Sequence, residues 1–147
     1  MIDIITGIST QLGIQFGPNG TGKKYLSYNE HRGNGDPRFK SKWHPDITPL
    51  TEYQIFCNAD HGNWYCSQGH YWGVDIDNNN KPKTLGCRRE ILCKFPHNAN
   101  PSIPWHGFPV SPENGDNDTP PSDFIENWIN NGVVSRTLGR KIQRRKV

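Results

Sequence analysis

Glycine and proline together supply 27 of the 147 residues, and they punctuate nearly the whole length of the chain. Such spacing leaves little room for long helices, so the chain must be built from short elements joined by turns. Only 32% of it is apolar, yet 16 residues are Phe, Trp or Tyr and the formal net charge is just +3. Disordered chains carry few aromatics and more net charge, so a folded domain with long loops is expected. At this length a single domain can bury a real core.

Strand-like runs occur at 2–6, 12–16 and 24–28, the first two rich in Ile. The polar stretch 30–45, with Gly33, Gly35 and Pro37, reads as loop. Thr48-Pro49 marks a helix start, with Thr48 as N-cap and Pro49 in the first turn; Leu50, Tyr53 and Cys57 then share a face, and the end falls near Asn58. Residues 71–76 read as a strand, Asp77 to Asn80 as a turn, and 84–95 as the return strand of a hairpin, with Ile91, Cys93 and Phe95 alternating inward.

The stretch 98–121 is irregular; Trp105, Phe108 and Val110 mark a half that packs down, and Glu113 to Thr119 an acidic loop. Ser122 is the expected N-cap of a helix striped by Ile125, Trp128 and Ile129 and closed by Gly132. Ser135 caps a second helix running from Arg136 to about Arg145. The fold class is therefore α+β: a small antiparallel sheet with long loops and a C-terminal helix pair. One domain, 1–147, divides into a loop-rich part (1–47), a hairpin core (48–97), an irregular loop (98–121) and the helix pair (122–147).

Charge is distributed unevenly. Six of the last twelve residues are Lys or Arg with no acid among them, whereas 113–126 holds five acids and no base. Arg136, Arg140 and Arg144 fall at i, i+4 and i+8, a spacing that lines one helix face and suits phosphate contacts. Lys141 and Arg145 extend this candidate surface, and Lys23 and Lys24 form a second patch. The cations also complement the helix dipole, and the acidic loop offers them partners within the chain.

Gly17 to Lys23 satisfies the phosphate-loop pattern G-x-x-x-x-G-K, but Lys24 stands where the magnesium-binding hydroxyl belongs and no helix follows. The expected structure is a hairpin loop in which Asn19-Gly20 supplies the positive φ. Cys57, His61, Cys66 and His70 compose C-x3-H-x4-C-x3-H, a compact set of candidate zinc ligands. The segment is similar in length, glycine content and central aromatic to the retroviral-type zinc knuckle, an RNA-binding module, although ligand order and spacing differ from C-x2-C-x4-H-x4-C. Zinc is the one candidate cofactor.

His106, held in Pro104-Trp105-His106-Gly107-Phe108-Pro109, is the candidate catalytic residue. A metal-independent ribonuclease would pair it with a second His and a Lys or Arg. No nucleophile–base motif or telling carboxylate pair accompanies it. The leading expectation is a non-enzymatic module that engages nucleic acid, or else an acidic protein, through the basic C-terminal helix. A small toxin-like nuclease and an immunity or inhibitor protein acting by occlusion are the alternatives. Met1 to Gly13 lacks a basic start followed by an apolar run, and no segment is apolar enough to span a bilayer. With only four cysteines, a cytoplasmic location with the cysteines as thiols or metal ligands, and no membrane partner, is expected.

Overall fold

The computed structural model describes residues 7–147; the strand expected at 2–6 lies outside them. Strands β1 (Ile8–Ser9), β2 (Gly13–Phe16) and β3 (Tyr25–Tyr28) form an antiparallel meander in sequence order. Helix α1 (Pro49–His61) follows the loop. A second antiparallel sheet, in the order β4 (Tyr71–Gly73), β5 (Leu92–Phe95), β6 (Phe108–Val110), precedes helices α2 (Ser122–Asn130) and α3 (Arg136–Gln143). The chain is thus α+β with a C-terminal helix pair, carrying two small sheets rather than one.

Helix α1 begins as its sequence dictates. The Thr48 hydroxyl accepts from the Thr51 amide at 3.2 Å, and Pro49 occupies the first turn, where a missing N–H costs nothing. The helix continues past Asn58 to His61 because it is held from two sides, packing on β2 and β3 and also on β4. Glu52, Tyr53, Ile55, Phe56, Ala59 and Asp60 are all buried, an arc too wide for the single face expected from Leu50, Tyr53 and Cys57.

The second sheet is covered on both faces. Tyr71, Cys93 and Phe95 point into a core shared with α1 and the first sheet. Trp72, Val74, Leu92 and Val110 point the other way, against Phe124, Ile125, Trp128, Leu138 and Ile142 of the helix pair. Leu92, Cys93 and Phe95 are therefore all fully buried, while Ile91 is only partly so, and simple alternation fails in β5. Regular strand pairing is brief: β4 ends at Gly73, and Ile76 makes only an isolated bridge to Pro82. The turn at Asp77 forms as expected, its carboxylate accepting from the Asn79 and Lys81 amides. β6 arises inside the stretch expected to be irregular; Pro109 is tolerated because β6 is an edge strand.

In the helix pair Ser122 is the first helical residue rather than the cap, and Pro121 precedes it. Gly132 ends α2 in the left-handed region (φ 74°), and Ser135 caps α3 by accepting from the Leu138 amide at 3.1 Å. Helix α3 stops at Gln143, two residues short of the expected end, with Arg145 left-handed at φ 57°. Among the described residues no helix is long and apolar enough to cross a membrane.

Candidate functional site

The polar loop after β3 and the Trp-His-Gly turn are far apart in sequence, yet hydrogen bonds lace them together. Trp105 donates its amide to the Lys24 carbonyl and accepts from the Leu26 amide, which sets residues 104–106 alongside β3. The Trp43 indole donates to the Gly107 carbonyl at 3.1 Å, and the Ser41 hydroxyl donates to the Pro109 carbonyl at 2.6 Å. The Trp43 amide in turn donates to the carbonyl of His31.

This lacing brings His106 beside a second histidine, His31. Their ring centroids lie 6.4 Å apart with planes inclined by 16°. Phe108 stacks on His31 at 5.0 Å and lies 6.5 Å from His106, and Tyr28 meets His106 edge-on at 4.8 Å. His31 Nδ1 donates to the Ser41 carbonyl at 2.9 Å, which leaves Nε2 as the basic nitrogen of the neutral ring. His31 is buried and His106 half-buried. Burial pushes both imidazoles below their ordinary range; the hydrogen bond to Ser41 opposes this at His31, the charge of His31 lowers His106 further, and at both rings Lys40 adds to the effect and Glu30 opposes it. Lys40 and Glu30 themselves form an exposed ion pair at 3.1 Å.

Behind the pair, Arg32 anchors the loop. Its guanidinium donates to Glu52 of α1 and to the Ile47 carbonyl. The Glu52 carboxylate, wholly buried, also accepts from Tyr25 (2.8 Å) and Ser27 (2.5 Å). Neither His31 nor this network is singled out by sequence patterns: the two histidines are separated by the whole of α1 and by the first two strands of the second sheet.

The phosphate-loop segment forms a hairpin loop between β2 and β3. Positive φ falls at Gly17 (101°) and Gly22 (82°) rather than at Asn19-Gly20. The loop closes on Asp60 of α1, which accepts from Asn19 (2.9 Å) and Thr21 (2.5 Å) and pairs with Lys23 (3.1 Å). Lys23 is thus committed within the chain, while the neighbouring Lys24 is exposed.

The four candidate zinc ligands are not brought together. Cys57 packs against the core between the sheets, whereas Cys66 is buried in the core under the helix pair. His61 is exposed at the end of α1, and His70 accepts from the His97 amide at 2.9 Å. Tetrahedral zinc needs its ligands within one coordination sphere, and among the described residues no group of three or more His, Cys, Asp or Glu is arranged to hold a metal ion.

The basic helix is partly neutralised from within. Arg140 pairs with Glu126 of α2 and donates to Gln143, and Arg145 pairs with Asp116 of the acidic loop. Arg136, Lys141 and Arg144 are exposed and form no ion pair among the described residues.

Compared with known proteins, the chain matches no family model, no curated protein and no solved structure.

Proposed function

We propose that this chain is a small RNA-cleaving enzyme in which His31 and His106 are the acid–base pair. The observation that carries the reading is the side-by-side placement of the two imidazoles, 6.4 Å apart, with the tautomer of one fixed by a backbone carbonyl. Cleavage of a phosphodiester requires one proton to be removed from the attacking oxygen and another delivered to the leaving oxygen. His31 Nε2 takes the proton of the ribose 2′-hydroxyl as that oxygen attacks phosphorus. The P–O5′ bond breaks, the imidazolium of His106 protonates O5′, and a 2′,3′-cyclic phosphate is left.

RNA suits the pair because it carries its own nucleophile, so none is required of the protein. Lys40 supplies a cation beside the pair for the charge that develops on phosphate. Glu30 holds it by an ion pair that an entering phosphate would compete with. The test is cleavage of a 5′-labelled RNA oligonucleotide and its DNA counterpart by the purified protein, followed by analysis of the new ends. RNA should be cut to cyclic-phosphate ends and DNA left intact. Single substitutions His31→Ala and His106→Ala should each lower the rate by about 100-fold or more. An RNA left uncut, or full activity in folded His106→Ala, rejects the assignment.

A second reading is favoured by Arg136 and Lys141 of α3 and Arg144 just after it, which form no ion pair among the described residues: a non-enzymatic module that binds nucleic acid or an acidic protein. It predicts salt-dependent binding without turnover. Neutralising Arg136 and Arg144 together should weaken that binding and flatten its salt dependence; unchanged affinity for RNA, DNA and acidic protein targets rejects it.

A further inference from the structure

The C-terminal helix borders a groove whose chemistry differs from that of the histidine site. It runs between α3 and the segments 80–82 and 89–91, with a volume of about 580 Å³. Its apolar lining is aliphatic: Pro82, Ile91, Leu138 and Val147. Four cations stand around that floor, Lys81 and Arg89 on one wall and Lys141 and Lys146 towards α3, and no Asp or Glu side chain among the described residues lines the groove. All four are exposed, and none forms an ion pair among the described residues. That contrasts with Arg140 of α3 and Arg145 just beyond it, whose charges are answered inside the chain.

The walls are held in place before any partner arrives. Lys81 sits on the turn closed by Asp77, whose carboxylate accepts from the Lys81 amide at 2.9 Å. The Arg89 amide donates to the Gly86 carbonyl in a second tight turn. Lys141 lies on α3, capped by Ser135. Cations on fixed backbone lose less freedom on binding than cations on a loose tail, which favours recognition here.

We infer that this groove is a docking site for an acidic polypeptide segment that inserts an aliphatic or aromatic side chain between Lys81, Arg89, Lys141 and Lys146. The charge complementarity selects an anionic partner, and the floor selects its chemistry. Single-stranded nucleic acid is bound by stacking its bases on aromatic side chains, and no lining residue of this groove is aromatic. An apolar side chain gains from burial against Ile91 and Leu138, while flanking carboxylates reach the four cations. The inference deepens the binding reading and rests on it, not on the histidine pair.

The probe is a fluorescent eight-residue peptide with a central Leu-Phe pair flanked on each side by three acids, titrated into the full chain by anisotropy. Two controls replace Leu-Phe by Ser-Gly, or the acids by Gln, and a U8 RNA serves as the alternative ligand. Micromolar binding is expected for the intact peptide, at least tenfold weaker for either control and for U8, and weaker as salt rises. Lys81→Glu combined with Lys141→Glu, both exposed positions, should lower affinity at least tenfold while the circular dichroism spectrum is retained. Absence of peptide binding at millimolar concentration, equal binding by the charge-reversed protein, or tighter binding of U8 would each overturn the inference. Retained RNA cleavage in the charge-reversed variant leaves the two sites distinct, so the cleavage and docking readings fail separately. If binding is lost on neutralising Arg136 and Arg144 but kept on reversing Lys81 and Lys141, the helix binds elsewhere and the groove assignment is wrong.

Discussion

Glu52 of α1 and Arg32 of the loop after β3 form an ion pair whose carboxylate is wholly buried while the guanidinium stays partly in contact with solvent. Removing a carboxylate from water disfavours its charged form, and here that cost exceeds the help from Ser27, Tyr25 and Arg32, so the carboxyl is raised to about 7. The unfolded chain releases this proton near 4.5, and the folded chain holds it until about 7. The native state therefore binds the extra proton between those values, and the associated stability is full below 4.5 and lost as pH rises to 7. The span corresponds to a change on the order of 3 kcal/mol. Glu52→Gln cannot titrate, so its stability relative to the native sequence should rise across pH 4.5–7 and level off above. Urea denaturation of both proteins at several pH values checks this, and parallel curves would contradict it.

The cleavage reading makes a prediction about pH of its own. An acid–base pair works when one imidazole is protonated and the other is not, between the two apparent pKa values of the pair. Burial and the charge of Lys40 hold both below the ordinary 6.5, and His31 lowers His106 further. The rate maximum should therefore lie on the acidic side of 6.5. Lys40→Gln removes one cation and leaves Glu30, so both imidazoles should titrate at higher pH and the maximum should move upward. The kcat/KM profile reads the shift, and the imidazole proton resonances report it without reference to activity. A profile that stays in place in Lys40→Gln removes Lys40 from the site.

Local chemistry was legible in the sequence where one short segment decides the outcome. Thr48-Pro49, Ser135, Gly132 and the Asp77 turn all act within a few residues, and each does what its spacing implies. Long-range packing was not legible in this way. A strand forms within 84–95 as expected, but the sheet is covered on both faces, so Leu92 is buried as fully as Cys93 and Phe95 and the expected alternation does not describe it. The strand around Pro109 was hidden because proline usually signals a break, and only its edge position admits it. The candidate site follows the same division: His106 stands out in a rigid turn, but His31 sits in a polar loop that nothing nearby marks as functional. The C-x3-H spacing shows the converse, since Cys57 and Cys66 are close in sequence yet pack into different cores.

Gly107, immediately after His106, has no room for a side chain. A Cβ there would stand 2.3 Å from Cδ1 of Phe95 and 3.0 Å from the Lys94 carbonyl oxygen. Phe95 is fully buried among other rings, so it cannot swing aside without disturbing the core. Gly107→Ala should destabilise the fold by about 1–3 kcal/mol, lowering Tm by roughly 3–4 °C for each kcal/mol. Gly20→Ala is the control, because a Cβ at Gly20 meets nothing within 4 Å. Equal melting temperatures for the two variants would show that the His106 turn is looser than this packing requires.

Asp60 ties the glycine-rich loop to α1 and to the second sheet at once. Besides Asn19, Thr21 and Lys23 it accepts from the Tyr71 hydroxyl at 2.8 Å. Burial alone would raise its carboxyl, but the hydrogen bonds from Thr21, Tyr71, Lys23 and Asn19 outweigh that and hold it below the ordinary 3.8. Its contribution is therefore present above about pH 4 and lost as pH falls through the lowered value. Asp60→Asn exchanges an acceptor oxygen for a donor amide that cannot serve all of these partners. The expected cost is about 2–3 kcal/mol at pH 7, shrinking as the pH is taken below 4, with faster amide exchange at Thr21 and Lys23, whose N–H groups bond Asn19. Lys23→Ala removes one partner and should cost less. If Asp60→Asn leaves both stability and amide exchange unchanged at pH 7, the loop is held by its own turns and not by the carboxylate beneath it.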